Sequence, residues 1–382
     1  MNVLYPLLIF ILGFVSVSFF KNGLRESDVK VLYKLWVYHL LFALIYIFFF
    51  RGDANYYWNI AAELDFDTFK ENVLTKLGTY FIFSFNYIPA SVLKMNYLSG
   101  TFLHAWYGFM GMCCFYVLTL KLIPKNSYFK NTKLFPLLFY LPNLHFWTVA
   151  VGKDSTSFLF IGLFLYSFLN IKKRIFFAIL SIVLLYLIRP HVALFAIAAL
   201  GVSFIISKHA TKSQRFILSI LILGSSIVIL PKVMEYSKIE TLSTEGIEDF
   251  SKTRSDNLSR SHTESRVDIS SYPYPLKVFT FLYRPLFFDA HNVNALLASI
   301  ENLILLVLSF RAFKKNPLKA FKAAPLLVQT LLIFLILGCL SFSLMLSNLG
   351  IMLRMRNMFL PALIISILWY TYYNSNQNTK FK

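Results

Sequence analysis

The chain has 382 residues, of which 57% are hydrophobic, 18% aromatic and only 14% charged. Soluble domains carry about 25% charged residues, so lipid must solvate much of this surface, and a water-soluble enzyme is excluded. The net charge of +19 lies in short segments between apolar runs, which fits an anionic membrane leaflet; no nucleic-acid partner is expected.

In chain order, apolar runs approaching the ~20 residues of a membrane span fall at 3–20, 35–50, 98–120, 134–150, 155–170, 175–189, 191–207, 216–231, 293–310, 324–345 and 358–373. These eleven runs predict an all-α fold, a polytopic transmembrane helical bundle forming one integral membrane domain over 1–382. The first run has no basic residue before Lys21 and no small-residue cleavage site. It reads as a retained span with its N-terminus outside, not as a secretory signal. Cys113, Cys114 and Cys339 lie inside apolar runs and read as packing residues. No internal repeat is visible.

Charge orients these runs. Taking the runs as spans, alternate connections hold 21 of the 37 basic residues, against only Glu26 and Asp28. Examples are Lys121 to Lys133, Lys172-Lys173-Arg174, and Arg311 to Lys322. Short Lys/Arg-rich loops stay in the cytoplasm, which places the C-terminus there and predicts a multi-pass membrane protein. The segment 77–93 is apolar but contains Ser84, Asn86, Pro89 and Ser91. Counting it as a span would put four later basic clusters outside, so it is expected to be interfacial or re-entrant on the outer side.

Two outer loops result, 51–97 and 232–292. The second contains a Ser-rich, charged stretch from Thr253 to Ser271 and the breaker Tyr272-Pro273-Tyr274-Pro275. The run from Leu276 to Asp289, interrupted at Arg284-Pro285, is expected to dip into the outer interface.

Costly polar residues gather at the outer ends of the runs. Arg51, Asp53, Tyr56 and Tyr57 follow the second run, Lys153-Asp154 sits between the fourth and fifth, and Arg189-Pro190-His191 between the sixth and seventh. Arg284, Asp289 and His291 precede the ninth run, which holds Glu301, and Arg354 and Arg356 precede the eleventh. Charges at membrane depth cost a few kcal/mol each unless paired or hydrated, so their grouping suggests a shared wet cavity. Plainer readings stand beside this one. Lys153-Asp154 is also a turn with a local pair, Arg189-Pro190 a helix end with a snorkelling Arg, Arg354 and Arg356 interfacial anchors, and Asp53 a helix cap. Glu301 reads equally as half of a structural pair. Asp65-Phe66-Asp67 has the D-x-D form that binds metal–nucleotide sugars, but no nucleotide sugar is expected outside the cell. The histidines show no metal-type spacing; no metal site or cofactor is assigned, and a divalent metal is left open.

Arginine grips phosphate oxygens in bidentate fashion, a carboxylate beside it serves as general base, and Tyr56 and Tyr57 offer faces to sugar rings. This set suits a lipid-anchored sugar phosphate. The stretches RGDANYYW at 51–58, FWTVAVGKDS at 146–155, LIRPH at 187–191, YRPLFFDAHNVNALLASIEN at 283–302 and NLGIMLRMRNMFLP at 348–361 together resemble bacterial O-antigen or capsular repeat-unit polymerases. The resemblance implies that Arg189, Arg284, Arg354 and Arg356 hold a polyprenyl pyrophosphate. RGDANYY also resembles the first outer loop of C-type membrane glycosyltransferases, implying Asp53 as catalytic base, with Asp289 or His291 as alternatives; here the loop follows the second run.

The expectation is glycosyl transfer or polymerisation from a polyprenyl-linked donor. Its partners would be that glycan substrate, membrane lipids and polysaccharide-assembly proteins. The competing expectations are a lipid-linked-oligosaccharide flippase or other transporter, and a structural member of a synthesis complex.

Overall fold

A computed structural model describes residues 3–21, 24–50, 52–124, 128–129, 132–207, 211–237, 265–269 and 271–379. Arg51 and most of the Ser-rich stretch 253–271 lie outside them. Among the described residues the fold is all-α, apart from a two-residue hairpin pairing Tyr128–Phe129 with Thr132–Lys133. The chain forms two compact units, one of residues 1–121 and 136–193, the other of 122–135 and 194–382.

The first unit begins with α1 (Leu4–Ser16), which continues as a 3-10 turn to Phe20, and α2 (Glu26–Phe49). Trp36 of α2 donates its indole N–H to the Phe10 carbonyl at 2.9 Å, locking the two together. Three short helices follow: α3 (Ala54–Glu63), α4 (Phe66–Thr75) and α5 (Thr79–Phe85), the last leading into a π-turn at Ile88–Val92. Asp65 caps α4, accepting from the Thr68 N–H and hydroxyl at 2.8 Å each. Those bonds favour the ionised carboxylate and hold Asp65 below its usual carboxylate range. The D-x-D element is thus the start of a helix.

The long α6 (Tyr97–Leu122) packs against α8 (Lys153–Ser167) through small residues. A Cβ on Gly111 would lie 2.9 Å from the Phe158 carbonyl oxygen, and one on Gly162 would lie 3.0 Å from that of Gly111. Close approach of these two helices is what brings the start of α8 within reach of His104 on α6. We expect Gly111→Leu to force them apart at a cost of about 1–3 kcal/mol, read as a lower thermal unfolding midpoint in detergent. The unit closes with α7 (Pro142–Phe146), α9 (Ile171–Ile188) and the first turn of α10 (Pro190–Ile206).

The second unit holds the rest of α10, α11 (Lys212–Ser237), α12 (Tyr274–Tyr283), α13 (Val293–Phe313), α14 (Pro317–Lys322), α15 (Leu326–Met345), α16 (Leu349–Arg356) and α17 (Leu360–Thr379). Its core is α17 packed on α13 and α15. Three polar anchors fix α17: Trp369 to the Ala320 carbonyl, Tyr370 to that of Pro317 and Asn374 to that of Ala312.

Among the described residues, four helices are long and apolar enough to cross a membrane: α2, α6, α13 and α15. A fifth span arises if α16 and α17, bent by 66°, count as one. The eleven-span expectation is therefore corrected downward. An apolar run is not yet a helix. Residues 134–150 break at Pro136 and Pro142 into a 3-10 turn and the five-residue α7. The run 155–170 gives a 15-residue helix ending in a 3-10 turn, and the backbone kinks at Arg174 inside α9. α1 and α10 are apolar but short, and α11 contains Pro231. Segment 77–93 forms no spanning helix; it folds as α5 and the π-turn.

Candidate functional site

In the first unit the polar side chains converge on one turn, Gly152 to Ser155. Gly152 precedes α8 with φ +144°, a conformation L side chains rarely adopt. A Cβ there would also lie 3.1 Å from the Tyr57 ring. Tyr57, buried on α3, therefore lies directly over this turn.

Each following residue reaches a different element. The Lys153 ammonium donates to the Thr79 hydroxyl of α5 at 2.9 Å. Asp154 accepts from the Arg189 guanidinium, with both side chains buried. Lys153 and Asp154 thus hold separate partners, and the Arg189 side chain points into the protein, 5% exposed, so it does not snorkel. Local chemistry explains where Arg189 sits. Proline cannot continue a helix and pushes its predecessor out of helical geometry, so α9 ends at Arg189 with φ −145° and α10 starts at Pro190. The Arg189 carbonyl then accepts from the N–H groups of Val192 and Ala193. The Gly78 N–H donates to Leu187 at 2.8 Å, tying the start of α5 to the same joint.

Beneath the turn lies a chain of hydrogen bonds. The Asn86 side-chain N–H donates to the Ile82 carbonyl at 2.9 Å, so its side-chain oxygen faces His104 Nε2 at 2.8 Å. That oxygen can only accept, so Nε2 carries the proton and Nδ1 the lone pair. Nδ1 accepts from the Ser155 hydroxyl at 2.7 Å and faces the Gly152 N–H at 3.3 Å. Asn86, His104 and Ser155 are completely buried.

The remaining first-unit candidates lie at the edge. Asp53 is exposed at the start of α3, where its side chain does not cap the helix while its carbonyl accepts from the Tyr57 N–H at 2.9 Å. Tyr56 is 59% exposed and His191 half-buried.

A second cluster occupies the other unit. Arg284 forms a two-pronged pair with Asp289, whose oxygen also accepts from the Leu286 N–H at 2.8 Å. The hydrogen bonds that Arg284 donates to Asp289, with a smaller contribution from the one to Tyr272, raise its already high pKa despite partial burial. Arg356 is buried, donating to the Leu282 carbonyl and to the Asn302 side-chain oxygen. Asn302 in turn donates to the Pro285 carbonyl at 2.7 Å. Glu301, buried one residue before Asn302, lies within electrostatic reach of Arg356. His291 is exposed, and Arg354 is half-buried.

Sequence reasoning expected one shared cavity; within the first unit the structure brings together Tyr57, Lys153, Asp154 and Arg189, and within the second it pairs Arg284 with Asp289 and ties Arg356 to the same 282–289 segment. It missed Thr79, Asn86, His104, Ser155 and Asn302. Among the described residues no three His, Cys, Asp or Glu side chains gather to hold a metal ion. The chain matches no protein-family description, no characterised protein and no solved structure.

Proposed function

We propose that this chain is a membrane-embedded glycosyltransferase. It transfers or polymerises glycan from a polyprenyl-(pyro)phosphate donor on the outer face of a bacterial inner membrane, in surface-polysaccharide synthesis. One observation carries the reading: three separate polar stretches, 53–57, 152–155 and 189–191, meet within one unit, with Tyr57 against Gly152 and Asp154 paired with Arg189. Buried charged groups converging in an apolar, membrane-type chain mark a functional site by default.

In this mechanism Lys153 and Arg189 face the lipid phosphate, and Asp154 orients the guanidinium. Tyr56 stacks on a sugar ring. Asp53 takes the proton of the acceptor hydroxyl, whose oxygen bonds to the anomeric carbon. The bond from that carbon to the phosphate oxygen breaks, and the lipid (pyro)phosphate leaves with the electron pair. Arg284 and Arg356 order the 282–289 segment of the second unit. The resemblance to repeat-unit polymerases belongs to this proposal, as does the placing of the site outside.

The test is turnover in nanodiscs loaded with a polyprenyl-pyrophosphate-linked oligosaccharide. Asp53→Asn, an isosteric change at an exposed position, is expected to lower glycosidic-bond formation by about 10²–10⁴-fold. Full activity in that variant removes Asp53 as base. Movement of the lipid-linked glycan across the bilayer without new glycosidic bonds overturns the enzyme in favour of a flippase.

A further inference from the structure

A cavity of about 620 Å³ opens in the first unit, between α1, α4, α5, the π-turn and α6. This is within the roughly 300–1,000 Å³ of small-molecule pockets. Aromatic rings of Tyr5, Phe69, Phe81, Phe85 and Tyr107 form much of its wall. The polar groups of Tyr5, Ser84, Pro89 and Met95 are engaged within the protein. The Tyr5 hydroxyl donates to the Leu93 carbonyl at 3.2 Å, and the Ser84 hydroxyl leans on that of Phe69 at 3.5 Å. The Pro89 carbonyl accepts from the Met95 N–H, and the Met95 carbonyl accepts from the Trp58 indole. A polar ligand would find few partners here, whereas a hydrocarbon chain needs none.

Two further observations say which hydrocarbon. The Tyr107 ring lies 5.3 Å from the His104 ring, edge-on, and 5.6 Å from Phe85. One aromatic layer thus separates the cavity from the His104–Ser155 chain beneath the Gly152 turn. At the rim, Lys94 is exposed between the lining residues Leu93 and Met95, held with φ +51°. The space therefore runs from a cation at its edge to the floor of the polar cluster, a layout for an amphiphile with an anionic head.

We propose that this cavity holds the head-proximal isoprene units of a polyprenyl phosphate, the rest of the tail continuing into lipid. This rests on the reading of the Gly152 turn as the donor site and adds where the donor's hydrophobic part is gripped. Tail burial here contributes binding roughly in proportion to the apolar area removed from water or lipid headgroups.

The experiment uses the full chain in detergent with a diazirine-bearing undecaprenyl phosphate, followed by peptide mapping. Labelling is expected on residues 81–93 and 103–107, suppressed by excess unlabelled undecaprenyl phosphate but not by excess phosphatidylglycerol. Val73→Trp at the exposed rim and Leu103→Trp deeper in are each expected to lower labelling by about ten-fold. In turnover they should raise KM for the long-tailed donor and for a two-isoprene analogue, which carries the same head-proximal units. Equal competition by phosphatidylglycerol overturns the proposal in favour of bulk lipid, and so does normal labelling in Val73→Trp, whose rim position spares the core. Cavity labelling without any glycosyl transfer defeats the transferase reading alone. Transfer by a protein whose cavity is never labelled defeats this proposal alone.

Discussion

Replacing Asp154 with alanine is expected to destabilise the first unit by about 3–5 kcal/mol, the range for stranding one member of a buried ion pair. Both partners are almost fully enclosed, at 5% and 7% side-chain exposure. Burying a lone guanidinium is costly because the Coulombic attraction that offset its dehydration has gone. A double replacement, Asp154→Leu with Arg189→Met, removes both charges and should recover most of the loss, since apolar residues of similar volume often replace such pairs without penalty. Thermal unfolding of Asp154→Leu, Arg189→Met and the double variant in detergent forms a double-mutant cycle. A double variant no more stable than Asp154→Ala would mean that the pair contributes little and that the singles fail for another reason. Under the proposed function, the recovered double variant is nevertheless inactive, because it lacks the phosphate-facing arginine. That combination of restored fold and absent turnover separates a binding role from a purely architectural one.

Arg356→Met is expected to be the comparable lesion in the second unit, at about 3–5 kcal/mol. The guanidinium donates to the Leu282 carbonyl and to Asn302, and it lies within electrostatic reach of buried Glu301. Its loss leaves two acceptors short of a donor and a carboxylate short of countercharge. Each buried acceptor left unsatisfied costs roughly 1–3 kcal/mol. Adding Glu301→Gln to Arg356→Met removes the stranded charge and should return part of the stability. If it returns nothing, Glu301 is not held by Arg356. Hydrogen exchange on residues 282–289 supplies a local readout, because Asn302 and Arg356 both hold that segment.

Much of this was legible before any coordinates. Composition gives an all-helical, membrane-type chain, and the cost of charge in apolar surroundings singles out Asp154, Arg189, Arg284 and Arg356, all of which prove to be paired or engaged. Span number was not legible, because hydropathy counts apolar residues and cannot see that Pro136 and Pro142 divide an apolar run into a 3-10 turn and a five-residue helix. His104, Asn86 and Ser155 were hidden for a different reason. They are neutral and lie inside or beside apolar runs, and they meet across separations of 18 and 51 residues. Gly111 and Gly162 were the available signal, since small residues on apolar helices mark where two backbones come together. The pairing of Arg284 with Asp289, only five residues apart, could have been suspected from proximity. Arg356 on Asn302 could not, with 54 residues between them.

The row of donors and acceptors running from Ile82 through Asn86 and His104 to Ser155 has a direction. Turning the imidazole to its other tautomer would set two acceptors face to face unless the Asn86 amide rotated as well, and that rotation would in turn oppose two carbonyl oxygens at Ile82. No member can reverse alone. The loop above it is therefore held in one posture, and Lys153 and Asp154 reach Thr79 and Arg189 from a fixed backbone.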